Sequence, residues 1–301
     1  VATGNVTAAT AANFIPEKWM EPMLDYAQRA MGIRRRVMDA YELAIDPPDR
    51  MKEGDILHCP RISEETASTK SANTAVSFTT FTDPVTDVTI NQHAYVAKRI
   101  EDIAEIQSNL NLLETYVSAM AYGVEKNIEA YVAVTLLQEA TGHDVSLTTD
   151  NQCTAAEFRT GEQNLMDEGY NIDGWKDRGE LSFYSDAAIH QYLKGLGTFT
   201  DYQITGREPS GTVTGKMQVV YGVPVFVSTD WDGDGTTGNE EATLFHRSAV
   251  LLAVQQEPKF EVGRNLQQLS DEIVYSILYG GSLSSGGAAD STLAAVNFNS
   301  P

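Results

Sequence analysis

The segment DWDGDGTTGNEE, residues 230–241, sets three aspartates at alternate positions, then a glycine, then a glutamate at the twelfth place. Asp230, Asp232, Asp234, Thr236 and Glu241 fall at positions 1, 3, 5, 7 and 12 of a calcium loop, with Gly235 at position 6. Calcium takes roughly six to eight hard oxygens; glycine permits the sharp turn, and a distal glutamate can close the site with both oxygens. Without a cation these carboxylates, and that of Glu240, would repel one another across a short loop. The flanks are not those of an EF-hand. VYGVPVFVST upstream is valine-rich and interrupted by Gly222 and Pro224, and Thr237 stands where a hydrophobic residue is usual. Two readings stand: a structural calcium ion, or an exposed strand connection whose charges water and salt screen. Gly233, Gly235 and Gly238 also spell G-x-G-x-x-G. A dinucleotide site needs bare backbone N–H groups at the start of a helix, and three aspartates crowd this one.

Other chemistry is sparse. His58, His93, His143, His190 and His246 are scattered, and His190 in SDAAIHQYL reads as a packed or surface residue of a short helix. Cys59 and Cys153 lie far apart, make no metal pattern with the histidines and read as reduced structural thiols. No G-x-S-x-G, H-E-x-x-H or phosphate loop occurs. The sequence therefore predicts no enzyme and no required cofactor, with structural calcium the one candidate. A net charge of −21 argues against tight phosphate contact, which needs clustered Lys and Arg. The one basic run, Arg34 to Arg36, reads as a solvated or salt-bridged turn. No run of about eighteen apolar residues suggests a membrane span, and VATGNVTAATAANF does not read as a signal peptide.

The elements that must carry these residues follow from periodicity. Residues 1–13 are small and polar, the composition of a flexible arm. In FIPEKWMEPMLDYAQRAM, Trp19, Met23, Tyr26, Ala27 and Ala30 share a helical face. KEGDILHCPRI and VSFTTFTDPVTDVTINQHAYVAKRI read as strands around the polar tip SEETASTKSANTA. Such a hairpin has too few apolar residues for a core of its own and is expected to need support from elsewhere.

The strongest helix signal is NLLETYVSAMAYGVEKNIEAYVAVTLLQEATG. Its face is Leu113, Tyr116, Val117, Met120, Val124, Ile128, Tyr131 and Thr135, and Gly142 is its expected end. Beyond it, Thr154 and Glu157 are in capping-box register, and Ser185 or Asp186 can cap a short helix. ELSFYS, KMQVVYGVPVFVST and DEIVYSILYGG read as strands, whereas ATLFHRSAVLLAVQ fits strand or helix. GSLSSGGAADSTLAAVNFNSP reads as a loose tail.

The order of these pieces, from FIPEKW through the hairpin, IEDIAEIQSNLNLLETY, YGVPVFVS, LFHRSAVLLAVQQEPKFE and DEIVYSILYGG, resembles the major capsid proteins of tailed double-stranded DNA bacteriophages, the HK97-fold family. The resemblance spans about residues 14–283 and rests on element order more than on invariant residues. It implies an α+β HK97-like capsid fold. The implied divisions are an N-arm and first helix over 1–50, an extended E-loop hairpin over 51–92, and a P-domain with a long spine helix over 93–145. A mixed α/β A-domain over 146–251, a return to the P-domain over 252–283 and a flexible C-terminal tail over 284–301 complete it.

The implied function is structural: self-assembly through pentamers and hexamers into an icosahedral head around the genome. The implied partners are further copies of the chain, a separate scaffolding protein, a portal, an optional decoration protein, and packaged dsDNA held without sequence-specific binding; no membrane is involved. The scaffold is expected to be separate because only about a dozen residues precede FIPEKW. The implied location is the virion capsid, made and assembled in the bacterial host cytoplasm. A Lys–Asn cross-link between subunits is weighed for Lys70 near the hairpin tip, without a nameable partner. The alternatives are an encapsulin-like nanocompartment shell protein and a calcium-binding surface module.

Overall fold

The computed structural model describes residues 32–42, 55–60, 67–76, 78, 85–101, 112–196, 219–231, 240–284 and 293–301. The N-terminal arm and the helix expected after FIPEKW lie outside these residues, as do Asp232, Asp234 and Thr236.

Two mixed sheets organise the described chain. The first has the order β1-β10-β11-β4, with β1 at Met38–Asp39, β4 at Gln92–Glu101, β10 at Val250–Asn265 and β11 at Ser270–Leu283. β10 and β11 form a long antiparallel hairpin, and β4 pairs antiparallel along β11 from Ser270↔Glu101 to Tyr279↔Gln92. The second has the order β5-β12-β9-β6-β8-β7. Its strands are β5 (Val145–Ser146), β6 (Leu181–Ser185), β7 (Val219–Val220), β8 (Val223–Val227), β9 (Glu240–His246) and β12 (Ala295–Asn299). ATLFHRSAVLLAVQ, ambiguous by periodicity, is strand on both sides of the 3-10 turn Arg247–Ala249. β9 serves the second sheet and β10 the first, so this turn carries the chain from one to the other.

Helix α1, Leu112–Ala130, lies against the first sheet, and Val124 and Ile128 share its core with Ile277 and Tyr279. The expected single long α-helix is instead an α-helix that continues as a π-wound segment, Tyr131–Leu137. The wider winding shifts the phase of the buried stripe. Met120, Val124 and Ile128 are buried as expected, but Thr135 is exposed, and Val132, Ala133, Leu136 and Leu137 take the inner face. Helical winding ends at Leu137, short of Gly142.

Three shorter helices cover the second sheet's core. Helix α2, Ala155–Asp167, opens with the expected capping box: Thr154 accepts from the Glu157 N–H, and the Glu157 side chain reaches back to the Thr154 N–H. Gly161 lets α2 lie close on β12, where a Cβ would come within 2.7 Å of Phe298 Cζ. Helix α3 is Ile172–Arg178, capped by Asn171, and α4 is Ala187–Gly195, capped by Asp186. The two-residue loop between β7 and β8 is Tyr221 (φ 47°) and Gly222 (φ 86°), the left-handed pair that a tight hairpin requires.

Strands β2 (Ile56–Pro60) and β3 (Val85–Thr89) pair antiparallel, as the expected hairpin should. Its base is not unsupported within the chain. The alternating residues Leu57, Cys59 and Val88 are buried with Ile90 against Ala40, Leu251 and Ala253. Strand alternation gives the hairpin one apolar face, and that face finds the first sheet. Ile56 and Val85 on the other face stay exposed, as does Phe78 further along.

The C-terminal segment needs a correction. Residues 293–301 are not a loose tail, because β12 inserts between β5 and β9 with Val296, Asn297 and Phe298 fully buried. The apolar run LAAVNF decides this against the Gly/Ser-rich composition that precedes it.

Candidate functional site

The calcium-pattern segment leaves β8 and returns as β9. At its start, Asp230 Oδ2 accepts from Ser228 Oγ at 3.0 Å, and the Asp230 carbonyl accepts from Gln138 Nε2 at 2.7 Å. Trp231, the second residue of the pattern, is a core anchor. It is 2% exposed, stacks on Tyr184 at 5.4 Å and donates from Nε1 to Thr243 Oγ1 at 2.8 Å. A tryptophan within an acidic string signalled this anchoring in the sequence. Glu241, the twelfth residue, is fully buried on β9, and its Oε2 accepts from the Asn151 N–H at 2.9 Å. Burial, reinforced by the neighbouring carboxylates of Asp150 and Asp186, pushes its pKa up to about 7. Asp230 and Glu241 thus have separate partners. Among the described residues, no three His, Cys, Asp or Glu side chains group as a metal site.

Other polar groups are structural. His246 Nδ1 lies 2.7 Å from Ser248 Oγ and Nε2 lies 3.3 Å from Glu180 Oε2. This outwardly resembles a nucleophile, base and acid in line, but the Ser248 N–H also bonds to the imidazole, which caps the 3-10 turn, and Trp175 stacks on the ring at 4.0 Å. His190 is buried on α4, and burial holds its pKa below the usual imidazole value. Cys59 and Cys153 are free and buried. The arginine run forms a 3-10 turn in which Arg34 pairs with Glu125 at 2.7 Å and Arg36 lies over the Phe226 ring at 4.7 Å.

A surface of another kind is more conspicuous. The far part of the β10–β11 hairpin exposes Phe260, Val262, Leu266 and Leu269, and β4 exposes Tyr95. At the same end, Ile100 of β4 and Ile273 of β11 are buried with Met120 of α1. Exposed apolar side chains at the end of a projecting hairpin suit contact with another protein surface rather than a small-molecule pocket. Lys70, at the polar tip, is exposed as expected. Among the described residues, no helix is long and apolar enough to cross a membrane.

No family model matches the sequence, and no match is found among curated proteins. The fold does have counterparts among solved structures. A chain from Mycobacterium phage Che8 superposes with a TM-score of 0.74 at 19% identity, covering 95% of this chain and 97% of its own. A chain from the capsid of cyanophage P-SCSP1u gives 0.71 at 14% identity, covering 100% and 97%. A chain from the mature capsid of bacteriophage PhiM1 gives 0.69 at 9% identity, covering 95% and 92%. The class is thereby set: the fold is the α+β architecture of phage capsid chains, the HK97-like fold expected from the order of elements.

Proposed function

We propose that this chain is a major capsid protein that assembles with copies of itself, as pentamers and hexamers, into the icosahedral head of a tailed dsDNA phage. The observation that carries the reading is reciprocal coverage. Nearly the whole of this chain matches nearly the whole of capsid chains, so the likeness is to a complete shell subunit and not to a shared module. The work of such a protein is mechanical, and no enzymatic role is assigned to it.

In this reading β2–β3 is the base of the E-loop, α1 with its π-wound continuation is the spine, and the β10–β11 hairpin belongs to the P-domain. The exposed apolar residues of that hairpin are then contacts awaiting a neighbouring subunit. The acidic net charge suits a wall that encloses DNA without gripping it. A separate scaffolding protein, a portal and a decoration protein complete the proposed partners, with assembly in the bacterial cytoplasm and the virion as destination. An encapsulin shell would share the architecture, but the phage origin of the matching chains favours the head protein. Neighbouring genes for portal and terminase, rather than for a cargo enzyme, are the expected finding.

The calcium loop of Asp230, Asp232, Asp234, Thr236 and Glu241 remains a secondary proposal. It stiffens the β8–β9 connection. Calorimetry with calcium on the wild type and on Asp232→Ala tests it, and no heat of binding in the wild type removes it. The capsid reading itself is tested by expressing the full chain and imaging the product for shells or capsomer rings.

A further inference from the structure

Three buried oxygens on neighbouring residues, distinct from the alternating aspartates of the acidic segment, have no donor. The turn Thr149–Gln152 brings Asp150 and Asn151 to the start of β9, with Asn151 in the left-handed region at φ 58°. The Asn151 N–H donates to Glu241 Oε2 at 2.9 Å, and Asn151 Nδ2 donates to Asp150 Oδ2 at 3.0 Å. That leaves Glu241 Oε1, Asp150 Oδ1 and Asn151 Oδ1, each buried and each without a hydrogen-bond partner. Glu241 is fully buried, and the Asp150 carboxyl lies within hydrogen-bonding reach of it.

Two facing carboxylates have only lone pairs to offer each other, so an unfilled pair of this kind is strongly unfavourable. Asp186 adds further negative charge from the cap of α4, where its carboxylate is already engaged by the Ala188 N–H. Beyond burial, Glu157, on α2, and Glu241 together raise the pKa of the neighbouring Cys153 thiol, and Glu157 too is already engaged, by the Thr148 and Thr154 N–H groups. What the three oxygens lack is a positive partner, and all three are hard donors.

We propose that Asp150, Asn151 and Glu241 bind a calcium ion that joins the Thr149–Gln152 turn to the first residues of β9. Two carboxylates and one amide oxygen supply three ligands, and water completes the shell, as hard-cation sites with few protein oxygens require. Such a site binds weakly, with a Kd of about 0.1–1 mM. Its role is to fasten the loop before α2 to the second sheet, and it holds whether or not the chain builds a shell. It differs from the loop pattern in its ligands: Asp150 and Asn151 replace the alternating aspartates, and only Glu241 is common to both.

The test uses the full chain, stripped with chelator and dialysed, at constant ionic strength near neutral pH. Calorimetric titration with calcium chloride is expected to give about one ion per chain, with a melting temperature raised by about 3 °C at tenfold excess over Kd. Asp150→Asn is expected to abolish both effects, whereas Asp177→Asn, at an exposed carboxylate of α3, leaves them unchanged. No calcium uptake by the wild type overturns the proposal, because the pair is then neutralised by a shared proton instead. Undiminished uptake by Asp150→Asn overturns it too, and loss of uptake in Asp232→Ala assigns the ion to the loop. Should Asp150→Asn fail to fold, Asn151→Ser tests the same site: weakened uptake supports it and unchanged uptake overturns it.

Discussion

Glu129 is the most exposing place to test how this fold is held together. It sits on α1 with 4% of its surface exposed, and its carboxylate gathers three consecutive N–H groups of the 3-10 turn. Oε2 accepts from Gly32 at 3.1 Å and from Ile33 at 2.9 Å, and Oε1 accepts from Arg34 at 3.2 Å. Hydrogen bonds to a charged group contribute about 1.5–3 kcal/mol each, and the cost of burying the carboxylate offsets a good part of their sum. In Glu129→Ala the Gly32 and Arg34 donors, only partly buried, recover water. The Ile33 donor is buried and does not, which alone costs about 1–3 kcal/mol. The expected total is about 3 kcal/mol, or a fall in Tm of about 5 °C for a chain of this size. Glu129→Gln keeps one carbonyl oxygen and turns an amide toward the remaining donor, so it should lose roughly half as much. Urea denaturation of the full chain at low concentration measures both. A Glu129→Ala midpoint indistinguishable from wild type would mean that the carboxylate does not hold the turn to the helix, and the reasoning fails.

Three further outcomes follow from the same packing. Gly280→Ala should destabilise by about 3 kcal/mol, the upper end for overpacking, because its Cβ would fall 2.1 Å from the Thr89 carbonyl oxygen and 2.6 Å from Ile90 Cα; a wild-type urea midpoint would show that the turn after β3 yields freely. Asn297→Ala should cost about 2–4 kcal/mol by calorimetry, since Nδ2 donates to the carbonyls of Leu137, Gln138 and Ala140 at 3.0, 3.2 and 2.6 Å and Oδ1 accepts from Thr243; a change below about 1 kcal/mol contradicts it. The His190 pKa is held below its ordinary value by burial and then by Lys194. The unfolded chain therefore takes up its proton first as pH falls through the usual imidazole range, and native stability drops there. His190→Leu should flatten the stability profile between about pH 7 and 5 relative to wild type, and an unchanged slope would refute this assignment.

What could be read from the sequence divides by the range of the interaction involved. The Thr154–Glu157 capping box and the alternation in β2 and β3 are set by near neighbours, and they stand in the structure as expected, whereas the strand read across YGVPVFVS is broken by the Tyr221–Gly222 turn into β7 and β8. The π-wound segment is not local in this sense. It follows from Leu136, Leu137 and Val132 all finding the core while Tyr131 donates to the Gly281 carbonyl at 3.3 Å. β12 was hidden for a similar reason. A five-residue strand after a Gly/Ser stretch has little local signal, and its place is decided by β5 and β9 on either side.

The candidate site shows the same division. The spacing of Asp230 through Glu241 is visible in the sequence, but the partner of Glu241 lies 90 residues earlier, at Asn151. Nothing in the string DWDGDGTTGNEE points to Asp150. Trp231 could have been noticed, because a large apolar residue among aspartates has no reason to be there unless it is buried.

Electron microscopy of the purified chain, concentrated without any other protein, tests the central claim most directly. Closed shells, or rings of five and six subunits, are the predicted result. A chain that stays monomeric at high concentration, with the Phe260–Leu269 hairpin end still exposed to solvent, would contradict a subunit built to tile with itself.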